Sequence, residues 1–185
     1  FANATGCSKH SVAQYVVTAI LTLRPQYWAK SMTPLTVGII GLGNIGSTLA
    51  QYVSDLGWKI LGYDPLLATS DINNASLEQV LSQSDILSLH VPLTDKKDTD
   101  TQGAVSISNN VSDYPTRHLI NAETLALMSP HTMLINSARG PVIDAAALEA
   151  DIDATERQVV LDVFEHEPQI SESLLSKLAI ATPHI

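Results

Sequence analysis

Short runs of nearly continuous apolar residues alternate along this chain with longer stretches in which apolar positions recur every three or four residues. The runs read LTVGII, KILGY, DILSLH, TMLIN and QVVLDV. A strand with one wet face alternates apolar and polar residues. These runs do not, which is the pattern of strands buried on both faces of a parallel sheet. They predict strands over residues 35–40, 59–63, 85–90, 132–136 and 158–163, with a sixth at 178–181. Helical stretches fall between them, over 45–56, 76–83, 123–128 and 145–150. Ser76 and Gln79 have the separation of a capping box, and Asp144 stands where its side chain caps the helix that follows. Ahead of the first strand, Val12, Tyr15, Val16, Ala19, Ile20 and Leu23 recur at the spacing of a helix over 8–23, which Arg24-Pro25 is expected to end. Strand and helix in alternation imply an open, doubly wound parallel α/β sheet. Residues 95–113 break the pattern. Polar, with one Gly and few large apolar side chains, they are expected to form an exposed, mobile loop.

The turn after the first strand reads Gly41-Leu42-Gly43-Asn44-Ile45-Gly46. Glycine-rich turns are common, but this one leaves a strand and opens a helix, the context in which G-x-G-x-x-G binds a dinucleotide. Gly41 permits the tight turn, Gly43 lets a pyrophosphate approach the backbone, and Gly46 lets helix and strand pack closely. The pyrophosphate then lies at a helix N-terminus, where free N–H groups and the helix dipole favour an anion. Asp64 ends the second strand, eighteen residues after Gly46. A carboxylate there accepts hydrogen bonds from the adenosine ribose and repels a 2′-phosphate. No Lys or Arg follows it closely, so the cofactor expected is NAD. The fold expected is a Rossmann-type sheet.

Three charged residues fall at or just past later strand ends: Arg139 in INSARG, Glu167 in LDVFEHEP and His184 in TPHI. Ligands gather at the carboxyl ends of strands in open α/β sheets, so the three can converge. An Arg grips a carboxylate with a two-pronged bond, and a His takes a proton from a hydroxyl as hydride leaves. A carboxylate beside that His orients it and favours its charged form. Taken singly, each is more often a solvated surface charge or a structural His. His90 ends a strand beside the crevice and is assigned to packing. His10, His118, His131 and His166 show no partner pattern and are assigned to the surface or loops, and no ligand spacing suggests a metal.

Composition narrows the class. Over 185 residues the chain is 45% apolar and 16% charged, enough for one sizeable core. A formal net charge of −9 argues against a nucleic-acid partner. The longest apolar stretch, residues 12–23, is broken by Gln14, Thr18 and Thr22 and is too short to span a bilayer. Cys7 is the lone cysteine, so no intrachain disulfide is possible, which fits a reducing compartment. No charged-then-apolar leader opens the chain, and it begins with Phe1 instead of Met, so a piece of a longer protein is expected.

The segments GLGNIG, GYDP, HVPLT, LINSARGPVID, LDVFEHEP and TPHI, in this order, resemble those of the D-2-hydroxyacid dehydrogenases over essentially the whole chain. The resemblance implies an NAD-dependent enzyme that oxidises the 2-hydroxyl of a small hydroxy acid. It assigns Arg139 to the substrate carboxylate, His184 to acid/base work and Glu167 to partner the His. It places Gly41, Gly43, Asn44, Ile45 and Gly46 near the pyrophosphate, Asp64 on the ribose, Val91 and Pro92 along the cofactor, and Asp162 near the nicotinamide. Within the family, TGCSKHSVAQYV, YPTRHLI and EHEPQISESLL resemble members acting on a small phosphorylated 2-hydroxy acid. By the same resemblance, residues 1–30 are an interdomain helix with the end of a substrate-domain segment. Residues 31–185 are the NAD-binding domain of a two-domain enzyme whose substrate domain is largely missing here. A cytoplasmic homodimer is expected of the full-length protein, with neither a nucleic-acid nor a membrane partner. Another hydroxy acid, or a non-catalytic NAD(H)-sensing role on the same scaffold, stays open.

Overall fold

A computed structural model describes residues 8–27, 34–67, 74–96 and 111–184. Its centre is a six-stranded sheet in the order β2-β1-β3-β6-β7-β8, with every pairing parallel. The strands are β1 (Thr36–Ile40), β2 (Lys59–Tyr63), β3 (Ile86–Leu89), β6 (Met133–Asn136), β7 (Val159–Leu161) and β8 (Ile180–Ala181). One further parallel bridge, Gly62 to Asn74, continues the sheet beyond β2. The chain winds outward from β1 to β2, then crosses back to β3 on the other side of β1. That reversal opens a crevice at the carboxyl ends of β1 and β3.

The unbroken apolar runs are explained by what covers the two faces. Val37, Ile39, Ile86, Met133, Ile135 and Val160 point to one side. There they meet Ala13, Val16 and Ile20 of α1 (Lys9–Tyr27) and Leu49 and Val53 of α2 (Asn44–Asp55). Ile40, Leu87, Leu89, Leu134, Val159 and Leu161 point to the other side, against α3 (Leu77–Gln83), α4 (Ala122–Ala126), α5 (Ala145–Thr155) and α6 (Glu172–Lys177). Neighbouring residues of one strand thus belong to different cores, as the two-residue period of a strand requires.

Local signals held where local chemistry decides. Ser76 and Gln79 form the reciprocal capping box of α3, and Asp144 accepts from the N–H groups of Ala146 and Ala147 at the start of α5. The stop at Arg24-Pro25 is corrected, since α1 continues to Tyr27. Proline forfeits one N–H bond, and so close to the end of a helix packed as far as Leu23 that loss does not prevent a last turn. Helix α6 went unread, although Ser171 caps it by accepting from Leu174 N–H. Of the loop expected at 95–113, Asp95–Lys96 (β4) and Val111–Ser112 (β5) pair as a short parallel ladder, and Arg117 Nε lies 2.5 Å from Asp95 Oδ1. Residues 97–110 lie outside the described residues. Among the described residues no helix is long and apolar enough to cross a membrane.

Candidate functional site

The crevice is built first by glycines. Gly41 takes φ 92°, a conformation that L side chains rarely adopt, and a Cβ on it would lie 2.6 Å from His90 O. A Cβ on Gly46 would lie 1.9 Å from Gly41 O, so the turn closes on itself only without a side chain there. Gly43 differs: among the described residues a Cβ on it would meet nothing within 4 Å. The protein's own packing does not require that glycine, whereas a ligand brought against the backbone would.

The start of α2 fits that ligand. Gly43 is its N-cap and supplies no side-chain hydrogen bond, no acidic residue stands in the first turn, and Gly43 and Asn44 are exposed. Helices α3 to α6 are each capped by a side-chain oxygen, from Ser76, Asn121, Asp144 and Ser171. The first amides of α2 and the positive end of its dipole are left for an anion. A groove of about 460 Å³ lies over them, lined by Lys9, His10, Gly43, Asn44 and Thr48 among others. Ile45 is half-buried and does not line the groove.

Asp64 is tied into the same turn. Its Oδ2 accepts from Leu42 N–H at 3.0 Å and its Oδ1 from Leu66 N–H at 3.0 Å, which fixes the carboxylate beside the glycine loop. Next to it a cleft of about 210 Å³ is walled by Tyr63, Pro65, Val91, Tyr114 and Thr116. Thr116 Oγ1 donates to Pro92 O at 2.6 Å and closes the loop after β3 over this cleft. Burial, with the charge of Asp64 as a lesser cause, raises the Tyr63 hydroxyl above its ordinary value. The shape suits a flat heterocycle and its sugar, with apolar walls and one carboxylate.

Across the sheet, one residue past the last paired position of each strand, runs a row of polar side chains: His90, Ser137, Asp162 and Thr182. Asp162 is buried and accepts from Thr182 Oγ1 at 2.5 Å, and Tyr15 of α1 bonds Thr182 at 2.8 Å. Burial raises the Tyr15 hydroxyl, the bond to Thr182 lowers it in part, and the charge of Asp162 raises it further. At the ends of the adjacent strands β6 and β3, Ser137 Oγ and His90 Nδ1 are buried without a hydrogen-bond partner among the described residues, while His90 Nε2 bonds Ser88. Burial lowers His90 to about 4, so its ring is neutral at pH 7. Two orphaned buried polar atoms in one row with Asp162 fit a site for the polar edge of a ligand.

Arg139, Glu167 and His184 stand beyond the carboxyl ends of the adjacent strands β6, β7 and β8. They share one edge of the sheet but make no hydrogen bond to one another. Arg139 is exposed and donates to Ala138 O at 2.6 Å. Glu167 Oε1 accepts from Phe164 N–H at 2.7 Å, folding back on its own loop. His184 is exposed at φ 61° and has no partner among the described residues. His118 lies in a loop with its side chain 41% exposed, and its Nε2 is bonded to Glu165 Oε1, a partner that the sequence pattern does not show. His10 likewise bonds Tyr52 OH through Nδ1, at 2.9 Å.

The sequence model for "D-isomer specific 2-hydroxyacid dehydrogenase, NAD binding domain" matches residues 10–185. The chain is 94% identical, over all of its 185 residues, to an erythronate-4-phosphate dehydrogenase of Psychrobacter arcticus, and 93% identical to one of Psychrobacter cryohalolentis. It covers 49% and 48% of those proteins, so it spans about half the length of the curated relatives it matches. A solved D-lactate dehydrogenase of Aquifex aeolicus, complexed with NAD and lactic acid, superposes with a TM-score of 0.71 at 30% identity, over 95% of this chain and 59% of that one. The glycine turn, the open end of α2 and the matched family model agree, and the chain belongs to the D-isomer specific 2-hydroxyacid dehydrogenases, whose NAD binding domain it carries.

Proposed function

We propose that this chain is the NAD-binding half of an enzyme that oxidises the 2-hydroxyl of 4-phospho-D-erythronate to the 2-oxo acid, in pyridoxal phosphate biosynthesis. The observation that carries this reading is 94% identity along the whole chain to a protein of that name. Residues 31–185 are the cofactor domain, and residues 1–30 carry the chain across from the substrate domain. The amides of Asn44, Ile45 and Gly46 receive the pyrophosphate, with Gly41 and Gly43 shaping its approach. Asp64 receives the ribose hydroxyls, Val91 and Pro92 line the adenosine side, and Asp162 faces the carboxamide of the nicotinamide. NAD, when bound, supplies the hydride acceptor.

Arg139 would leave its bond to Ala138 O and take the substrate carboxylate in a two-pronged grip. His184 would accept the proton of the 2-hydroxyl as the carbon–hydrogen bond breaks, and Glu167 would orient the ring and stabilise its cationic form. For that, Glu167 must swing from Phe164 N–H toward His184, a rearrangement assigned to closure of the cleft by the second domain. The homodimer, the phosphorylated substrate and the cytoplasmic setting belong to the same proposal.

The test is turnover by the full-length protein, followed as NADH absorbance, with 4-phosphoerythronate against 3-phosphoglycerate. His184→Gln should lower kcat by about 10²–10⁴-fold. NAD should bind more tightly than NADP, and Asp64→Ala should narrow that gap. Unchanged turnover in His184→Gln, or a preference for 3-phosphoglycerate, would overturn the reading.

A further inference from the structure

The loops assigned to the substrate are held together by a residue that no step above uses. The turn after β6 carries Arg139 and runs into α5. The turn after β7 carries Glu167. Between them stands Glu165, its side chain 11% exposed. One carboxylate oxygen, Oε2, accepts at 2.9 Å from the N–H of Ala145, the first residue of α5. The other, Oε1, is bonded to Nε2 of His118. Beneath the side chain the two backbones touch, since a Cβ on Gly140 would lie 2.0 Å from Phe164 O and 2.6 Å from Glu165 N. Arg139 is thus the neighbour of a residue packed directly on the Glu165 peptide, and Glu167 follows Glu165 by two positions.

His118 is anchored on the same turn. Its N–H donates to Pro141 O at 2.9 Å, and its carbonyl accepts from Asn121 Nδ2 at 3.0 Å. Two residues on, Ile120 N–H donates to Val142 O at 3.1 Å, and Asp144 N–H returns a bond to Ile120 O at 2.9 Å. One carboxylate therefore joins three segments, around residues 116–121, 138–146 and 164–168. His118 also sits at φ 52°, where glycine or asparagine is at ease and an imidazole is not. A strained backbone persists where its surroundings over-determine it, and here the strained residue spends its ring on a carboxylate 47 positions away. Burial pushes the Glu165 carboxyl up. The Ala145 N–H, the bond to His118 and the charges of His118 and His166 outweigh it, leaving the carboxyl below its ordinary value. The charged groups facing it are His118, His166 at 3.8 Å, and Arg117.

Building on the function proposed above, we propose that Glu165, locked by His118, is a positioning residue for the substrate: it sets the separation of Arg139 from Glu167 while touching neither substrate nor cofactor. Misplacing a substrate-holding group by an ångström costs rate steeply, so a clamp between these two loops acts on turnover and hardly on NAD affinity.

The experiment uses the full-length protein. His118→Gly relieves the backbone strain and cuts the clamp. It should lower kcat/KM for 4-phosphoerythronate by about 10- to 100-fold. The Kd for NADH should stay within about twofold of the parent's, and Tm within about 2 °C. His118→Asn tolerates the backbone and keeps a hydrogen-bonding group, and should recover part of the loss. Glu165→Gln keeps an acceptor for Ala145 N–H and can hold His118 only by donating to its neutral ring, and should lose less than Glu165→Ala. Parental kcat/KM in His118→Gly, or a loss matched by falling NADH affinity or falling Tm, would overturn the positioning role. A parent protein that turns over no 4-phosphoerythronate would sink the substrate assignment and this role with it, and is told apart because it precedes any substitution.

Discussion

Two helices of this domain, α2 and α5, leave the same edge of the sheet, and their first turns are opposites. Helix α5 begins saturated: Asp144 accepts from Ala146 and Ala147 N–H, and Glu165 accepts from Ala145 N–H. Helix α2 begins at Gly43 with no side-chain cap and no carboxylate in its first turn. The backbone presents the same donors and the same dipole in both cases. Side chains decide which end is a structural joint and which is left free to receive an anion. A carboxylate from the protein occupies one, and the other is left open on an exposed face.

That contrast can be attacked directly, and the largest effect should come from the turn that keeps α2 close to β1. Gly46→Ala drives a methyl into Gly41 O, a backbone atom with nowhere to go, and should cost about 3 kcal/mol or more in urea unfolding. A Gly46→Ala protein as stable as the parent would mean the turn is not as tight as described.

Acid should affect the two ends differently. His90, beside the glycine turn, has a folded value of about 4 against an ordinary 6.5. Between those values the unfolded chain binds the proton and the folded chain does not, so stability should fall as pH drops from 6.5 toward 4, by up to about 3 kcal/mol. Glu165, beside α5, has a folded value below its ordinary 4.5, so its contribution is present above pH 4.5 and is lost only on going lower. Urea melts across this range should show the first loss at the pH of the histidine. Replacing His90 by Gln should flatten it.

A direct exchange of character comes next. Gly43→Asp gives α2 the cap it lacks, in open space and at a φ of −66° that any residue accepts. Stability should rise by about 0.5 kcal/mol. NAD affinity, by calorimetric titration, should fall more than about tenfold as the new carboxylate meets the pyrophosphate. Asp144→Ala is the counterpart: about 1 kcal/mol of stability lost, with NAD affinity unchanged. If both substitutions altered NAD binding alike, the distinction between joint and site would collapse.

What was readable in the sequence divides along the same line. The glycine turn and the caps at Ser76 and Asp144 are written within a few residues of where they act, so spacing reveals them. The apolar runs are legible because a parallel sheet covered on both sides demands them. The bond from His118 to Glu165 joins residues 47 apart, and that from Tyr15 to Thr182 spans 167. Only the assembled strand order brings such pairs together. Glu165, Glu167 and His166 stand together in EHEP, and nothing local shows that one carboxylate turns to α5 while the next folds onto Phe164 N–H. Arg24-Pro25 overstated the stop of α1, because one proline near a helix end costs little, and α6 is too short for its apolar period to show.

At the opposite end of the sheet, Arg157 is 2% exposed and spends its guanidinium on Asp151 and on the carbonyls of Ser129 and Thr132, knitting the entries of β6 and β7 to α5. A lysine has one point of charge where this fork makes bonds in several directions, so even that exchange leaves acceptors unpaired. In a genetic screen for lost function, substitutions at Arg157 should score with those at the glycine turn although they lie far from any cofactor. The lesion there is one of supply: loss of a partner from a buried ion pair costs about 3–5 kcal/mol, enough to deplete the folded protein in the cell while the chemistry of each surviving molecule stays intact.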